Sequence, residues 1–158
     1  MTLEHRYAIG LVWTGNRGTG TSHYKEYGRD HVISAEGKHD IAGSSDRVFR
    51  GDVDRWNPEE MLLAALSQCH LLSYLHVAAA AGVIVTDYRD DAEGTLVLTG
   101  NGGGRFTSAT LRPVVTVASA DMVEAARRLH HDASEKCFIA ASVNFPVGHE
   151  PQINIAGS

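Results

Sequence analysis

Residues 57–82, NPEEMLLAALSQCHLLSYLHVAAAAG, constrain this chain more than any other stretch, because they can form little except one long helix. Asn57 can accept hydrogen bonds from the first free backbone N–H groups, and Pro58 suits the first helical position, where no donor is needed. Glu59 and Glu60 place negative charge at the positive end of the helix dipole. From Met61 to Ala81 only Val77 is β-branched, and neither Gly nor Pro intervenes. Propensity therefore favours helix throughout, and Gly82 is placed to end it. Apolar residues occur on almost every side, the pattern of a helix covered on several faces. The remainder of the chain must wrap it.

With 158 residues the chain fits one domain over 1–158 and can bury a sizeable core. An apolar content of 43% and a charged content of 21% exclude disorder. A net charge of −5, with no local basic cluster, argues against nucleic acid as a partner. The first residues, MTLEHRYAIG, lack an apolar leader, so the expected location is cytoplasmic. Length alone would let residues 61–81 cross a bilayer. Ser67, Gln68, His70, Ser73 and His76 interrupt that run, however, and no membrane association is expected.

Residues 7–13 form a strand candidate that leads into the turn TGNRGTG, which has neither dinucleotide-loop nor phosphate-loop spacing. Residues 31–35 and 47–49 are further short strand candidates. Beyond Gly82 the period changes: residues 83–85, 88–93, 95–99 and 106–117 are β-prone, with GNGGG at 100–104 as a hairpin loop. Pro113 weakens its strand or places it at an edge. Residues 120–133 return to helical spacing, 135–141 suggest a short helix carrying Cys137, and 143–147 and 152–155 are closing strands. This order indicates α+β rather than alternating βαβ.

Cys69 lies near the middle of the long helix, and Cys137 is the other cysteine. A free cysteine on an apolar helix is most often a small core residue. His70 projects about 100° away from Cys69 around the helix and is not automatically its base. The second thiol is what raises the prospect of redox chemistry.

The helix start NPEEMLLAALSQC, the ten-residue step from Glu59 to Cys69, the early strand ending at Trp13 before a Gly- and Arg-containing turn, and the late Cys137 together resemble the OsmC/Ohr family, the osmotically inducible and organic hydroperoxide resistance proteins. The resemblance implies antiparallel sheets around a long buried central helix, in an intertwined dimer. It implies a thiol-dependent peroxidase that reduces organic hydroperoxides to alcohols, with Cys69 as peroxidatic and Cys137 as resolving cysteine. Glu59 matches the family glutamate that orients an active-site arginine. Arg17 matches the arginine of one branch; in another branch the arginine precedes the helix, where Arg50 is the second choice, sharing a strand face with Val48. No cofactor is implied beyond an external dithiol reductant such as a lipoyl protein. Phe138 replaces a common proline after the second cysteine, and His70 an apolar or aromatic residue after the first, which marks a divergent branch.

The chemistry follows from the thiol itself. A thiolate is the nucleophile, so nearby positive charge favours it. Attack on the O–O bond yields an alcohol and a sulfenic acid, and a second thiol converts the latter to a disulfide. Ten helical residues span about 15 Å, so one chain's Glu59 cannot touch its own Cys69. If both serve one site, a second subunit supplies the glutamate or a long arginine bridges the gap; the expectation is a homodimer with composite sites. Two rivals stand beside this reading. Cys69, His70, His76, His130, His131 and Cys137 are metal-ligand types, although without paired spacing. Alternatively, the helix could line a non-catalytic pocket for a small apolar ligand.

Overall fold

The structure, a computed structural model, describes residues 2–157. They divide between Met61 and Leu62 into two compact units. In the first, β1 (Gly10–Trp13), β2 (His31–Ser34) and β3 (Ile41–Gly43) form an antiparallel sheet in that order. The long connection between β1 and β2 is cinched by the Trp13 indole N–H donating to Gly28 O at 2.9 Å and by Gly28 N–H donating to Gly15 O at 2.7 Å. A Cβ at Gly15 would stand 2.1 Å from that Gly28 oxygen, so only glycine fits.

Residues 47–49, expected as a strand, form a 3-10 turn instead. The Asp46 carboxylate accepts from Val48 N–H at 2.8 Å, and this local bond replaces a sheet ladder. Arg50 closes the turn in the left-handed region with φ 70°. Two-residue alternation therefore does not apply there, and the argument that set Arg50 on the face of Val48 falls.

The long helix, α1 (Pro58–Ala80), spans the expected stretch, but rather than several faces it buries one stripe, Leu66, His70, Tyr74, Val77 and Ala78. Glu60 N–H donates to Asn57 Oδ1 at 2.8 Å, and Asn57 N–H reaches back to Glu60 Oε2 at 3.4 Å, a reciprocal capping box. At the other end Gly82 takes φ 72° while Val83 N–H bonds back to Ala78 O at 2.9 Å, satisfying a terminal carbonyl. The helix is long and apolar enough to cross a membrane by length and composition. Four of its polar side chains, Ser67, His70, Ser73 and Tyr74, nonetheless hydrogen-bond to groups elsewhere in the chain.

The second unit holds a bent ribbon of three long strands, each broken once. β4 (Val85–Asp90) and β5 (Glu93–Leu98) make the first, β6 (Gly104–Leu111) and β7 (Pro113–Val117) the second, and β8 (Val147–His149) and β9 (Gln152–Ile155) the third. The first two pair antiparallel, through β5 with β6 and β4 with β7, around the loop expected at 100–104, whose last residue, Gly104, already opens β6. The third runs parallel to the second, through β8 with β6 and β9 with β7. Sheets expected to be antiparallel are thus mixed, because a crossover helix returns the chain to the starting end of the ribbon.

The bends coincide at Arg112. Its guanidinium binds Glu93 and Glu150, both at 2.8 Å, and its backbone N–H donates to Asp90 Oδ1 at 2.6 Å. Pro113 does not mark an edge: β7 is the central strand of β4-β7-β9. The proline stands at the first residue of β7, where its missing N–H is tolerated.

The crossover helix, α2 (Val123–Glu135), follows a 3-10 turn at Ala120–Met122. Its stripe Ala126, Leu129 and Ala133 packs with Tyr74, Val77 and Ala78 of α1 and with Val115 and Val117 of β7 in one core. The helix expected around Cys137 is absent. α2 stops at Glu135, and Cys137 lies in a turn whose N–H bonds to Ser134 O at 3.3 Å. A separate 3-10 turn occupies Ala140–Ser142.

The capping box predicts that Asn57→Ala lowers stability by about 1 kcal/mol, whereas Asn57→Gly lowers it by only a few tenths. Urea unfolding of the two variants against wild type checks this. Equal losses would mean that the Asn57 side chain is not the operative cap.

Candidate functional site: a thiol pair beside a histidine stack

Cys69 projects from the middle of α1 and is half-buried, while Cys137 is buried; both are free thiols. The structure brings them together. Burial pushes the Cys137 thiol up to about 11, and a hydrogen bond with Cys69 pushes in the same direction. Ala140 N–H, donating to Cys137 Sγ at 3.4 Å, opposes that shift. Cys137 is therefore a thiol that keeps its proton.

His70, one residue along α1, points inward, fully buried. Its Nε2 lies 3.0 Å from His130 Nδ1 on α2, so one imidazole donates and the other accepts. The rings stack with centroids 5.3 Å apart. His149 of β8 lies against His70 at 4.3 Å, and Tyr74 stacks on His130 at 4.1 Å. The Tyr74 hydroxyl donates to Ala126 O at 3.0 Å, and its burial pushes that phenol up to about 12. The outward nitrogens, His70 Nδ1 and His130 Nε2, are buried without a hydrogen-bond partner.

Burial is also the main force holding the imidazoles neutral. It lowers His70 to about 3, helped by the charges of His149 and His130. It lowers His130 to about 4, helped by His149 and Arg127. His149 is lowered too, against the pull of the Asp90 carboxylate. That carboxylate is held by Ser67 Oγ at 2.5 Å and by Arg112 N–H.

The other expected site residues belong to the first unit. Arg17 is exposed in its glycine-rich turn, where Asn16 Oδ1 accepts from Gly18 and Gly20 N–H. Its charge helps to lower the Asp30 carboxyl, whose larger influence is a hydrogen bond with Asp52. Arg50 is exposed. Glu59 is half-buried and its Oε2 is buried without a partner.

Of the metal-ligand types, His76 and His131 are exposed, and His131 instead approaches Glu135 at 3.6 Å. Among the described residues no group of three or more His, Cys, Asp or Glu side chains is arranged to hold a metal ion. The ligand inventory that suggested zinc therefore does not converge.

Sequence reasoning missed His149 and the shared burial of His70 with His130. A signal existed for the latter: His130 continues the Ala126–Leu129–Ala133 stripe, and His70 and Tyr74 share one face of α1 at i, i+4. Nothing local marks His149, because β8 joins β6 only across the crossover.

This helix-in-ribbon fold with a thiol pair against the central helix has clear relatives. Residues 51–151 match the family of OsmC-like proteins, and the chain belongs to that family. It is similar to an OsmC-like protein of unknown function from Vibrio cholerae O1 biovar eltor, with 31% identity, a TM-score of 0.81, and coverage of 94% of this chain and 99% of the other. It is 25% identical over 161 residues to the uncharacterized protein YmaD of Bacillus subtilis, covering 98% of each. An organic hydroperoxide resistance protein from Elizabethkingia anophelis shares the fold, with a TM-score of 0.67 at 18% identity over 96% of this chain and 99% of that one.

The depressed imidazoles predict a pH dependence. Unfolded histidine binds a proton near pH 6.5, whereas in the folded chain His70 and His130 bind one only far lower and His149 only below its ordinary range. The unfolded state then holds more protons, so stability is present at neutral pH and is lost as pH falls below about 6.5. His70 and His130 each contribute a slope of up to about 1.4 kcal/mol per pH unit, and His149 adds in the same direction. Urea unfolding between pH 7.5 and about pH 5 measures this, and His149→Phe, which keeps a ring against His70, is expected to give a shallower slope. An unchanged slope would show that His149 titrates alike in both states.

Proposed function

We propose that this protein is a cysteine-based peroxidase that reduces organic hydroperoxides to alcohols. The observation that carries the reading is the contact between a half-buried thiol on the central helix and a buried, proton-retaining thiol in the turn after α2. Cys69 as thiolate attacks the outer peroxide oxygen, the O–O bond breaks, and the alkoxide takes up a proton to leave as alcohol. Cys69 is left as a sulfenic acid. The Cys137 sulfur then attacks the Cys69 sulfur, displacing hydroxide, which leaves as water with the proton Cys137 gives up. An external dithiol, such as a lipoyl protein, restores both thiols by exchange. The turnover needs no metal or organic cofactor.

An organic rather than inorganic peroxide suits the surroundings. Leu72, one turn beyond Cys69, and Phe138, beside Cys137, are 64% and 80% exposed, offering apolar surface next to both thiols. Exposed apolar residues continue along Leu75 and Ile84, which fits burial against a second copy in a homodimer. In that dimer Glu59 of one chain, its Oε2 unpartnered, orients an arginine toward the Cys69 of the other. Arg17 is the preferred arginine and Arg50 the second. The reading places the enzyme in the cytoplasm, free of nucleic acid and membrane.

Mass-spectrometric thiol counting after one equivalent of cumene hydroperoxide tests the proposal. Wild type is expected to lose both thiols to one internal disulfide. Cys69→Ser abolishes turnover with a dithiol reductant, and Cys137→Ser stops at a trappable sulfenic acid. Wild-type thiols untouched by organic hydroperoxides would sink the reading.

A further inference from the structure

Three polar tethers tie α1 to α2 and the turn that follows. Near the start of α2, the Tyr74 hydroxyl donates to Ala126 O at 3.0 Å. In the middle, His70 Nε2 meets His130 Nδ1 at 3.0 Å. At the far end, Ser73 Oγ donates to Lys136 O at 3.3 Å, next to the contact between Cys69 and Cys137. On α1 these residues fall on two adjacent i, i+4 stripes, 70/74 and 69/73. His130 lies on α2 five residues before the helix ends at Glu135, and Cys137 follows in the turn just beyond that end. The imidazole pair is thus joined to Cys69 by one residue of α1, and to Cys137 by the last helical turn of α2 and the short turn after it, which the Ser73 hydroxyl ties back to α1 at Lys136 O.

The pair is an expensive way to fill a core. Two of its four ring nitrogens are buried without partners, and each such group carries an uncompensated desolvation penalty. A pair of apolar side chains of similar shape would avoid that cost. What apolar side chains cannot supply is direction. A hydrogen bond at 3.0 Å fixes the distance and angle between two atoms, whereas apolar contact tolerates sliding. With its outer nitrogens unengaged, the setting of each ring answers to this one bond and to the flanking rings of His149 and Tyr74.

We propose that His70 and His130 are positioning residues whose mutual hydrogen bond sets the register of α1 against α2, and so the approach of Cys137 to Cys69 for disulfide closure. This deepens the peroxidase reading and takes from it that the two thiols pair. The bond acts on the second chemical step, in which the Cys137 sulfur displaces hydroxide from the Cys69 sulfenic acid. It has no part in the first step, attack by Cys69 on the peroxide.

The test is the effective concentration of the Cys69–Cys137 pair, measured on the full chain by equilibration with reduced and oxidised glutathione. There one glutathione disulfide is reduced to two thiols as the protein disulfide forms, and no peroxide takes part. Three variants separate direction from mere packing. His130→Asn keeps a hydrogen-bonding group at the position of Nδ1; His130→Gln moves it outward to the position of Nε2; His130→Leu removes it. The effective concentration is expected to stay near wild type in His130→Asn and to fall about tenfold or more in the other two, as orientation is lost. Should His130→Leu fail to fold, the comparison of Asn with Gln decides alone, with urea unfolding reporting stability separately.

With cumene hydroperoxide, His130→Gln is expected to lose its Cys69 thiol at the wild-type rate while yielding less disulfide and more sulfinic acid. Equal effective concentrations in wild type and His130→Gln, or Asn no better than Gln, would overturn the proposal. Wild-type thiols inert to cumene hydroperoxide would overturn the peroxidase reading instead, and the glutathione result would still decide the role of the histidine pair.

Discussion

The burial of Tyr74 is the interaction on which the second unit depends. Its ring lies wholly inside, where α1 meets β7 and α2, and its hydroxyl finds the Ala126 carbonyl on the neighbouring helix. A phenol in such a place contributes through two channels at once. Removal of its apolar surface from water is worth on the order of 2–3 kcal/mol, and a satisfied hydroxyl avoids the penalty that an unpaired one would carry. Around it, small residues on both helices, Ala78, Ala126 and Ala133, let the backbones approach, and the β-branched Val115 and Val117 fill the pleated face beneath. The imidazoles extend this packed layer toward the thiols, one on α1 and the other in the turn beyond α2.

The elements legible in the sequence are those whose causes are local. The cap at Asn57, the unbroken helical run and the stop at Gly82 are written within a few residues of where they act. The hairpin between β5 and β6 is likewise announced by its run of glycines. Misreadings arose where a competing partner decided the outcome. Residues 47–49 carry β-prone Val48 and Phe49, yet the side chain of Asp46 captures the Val48 N–H and winds a 3-10 turn. Pro113 reads as an edge residue, yet it opens the central strand, because the bend at Arg112 falls immediately before it. The parallel pairings of β8 and β9 join residues separated by the whole of α2, and no periodicity within either strand records that choice.

The site divides in the same way. The two cysteines stood out by their rarity, and the spacing from Glu59 to Cys69 tied them to a family. Their mutual contact is a property of how α1 crosses α2, which the sequence does not print. The buried histidines were visible only as an excess of that residue. A histidine reads as surface or metal ligand from its type alone, and only the structure shows three of them held neutral by burial beside a phenol. The arginines show the converse: both preferred ones lie exposed, and their type was more conspicuous than their placement.

One feature of Cys137 sets how easily the pair could change state. A disulfide requires its sulfurs about 2 Å apart, nearer than two thiols in contact, so one backbone must yield as the bond closes. α1 is ill suited to yield, being hydrogen-bonded along its length and packed along the stripe Leu66, His70, Tyr74, Val77 and Ala78. Cys137 lies beyond the last turn of α2, where the chain is held by single bonds such as Cys137 N–H to Ser134 O. The stiff element and the compliant one are thus assigned to different sulfurs. On the peroxidase reading, oxidation and reduction would cycle through a shift of a few residues after Lys136, leaving the packed interior as it was.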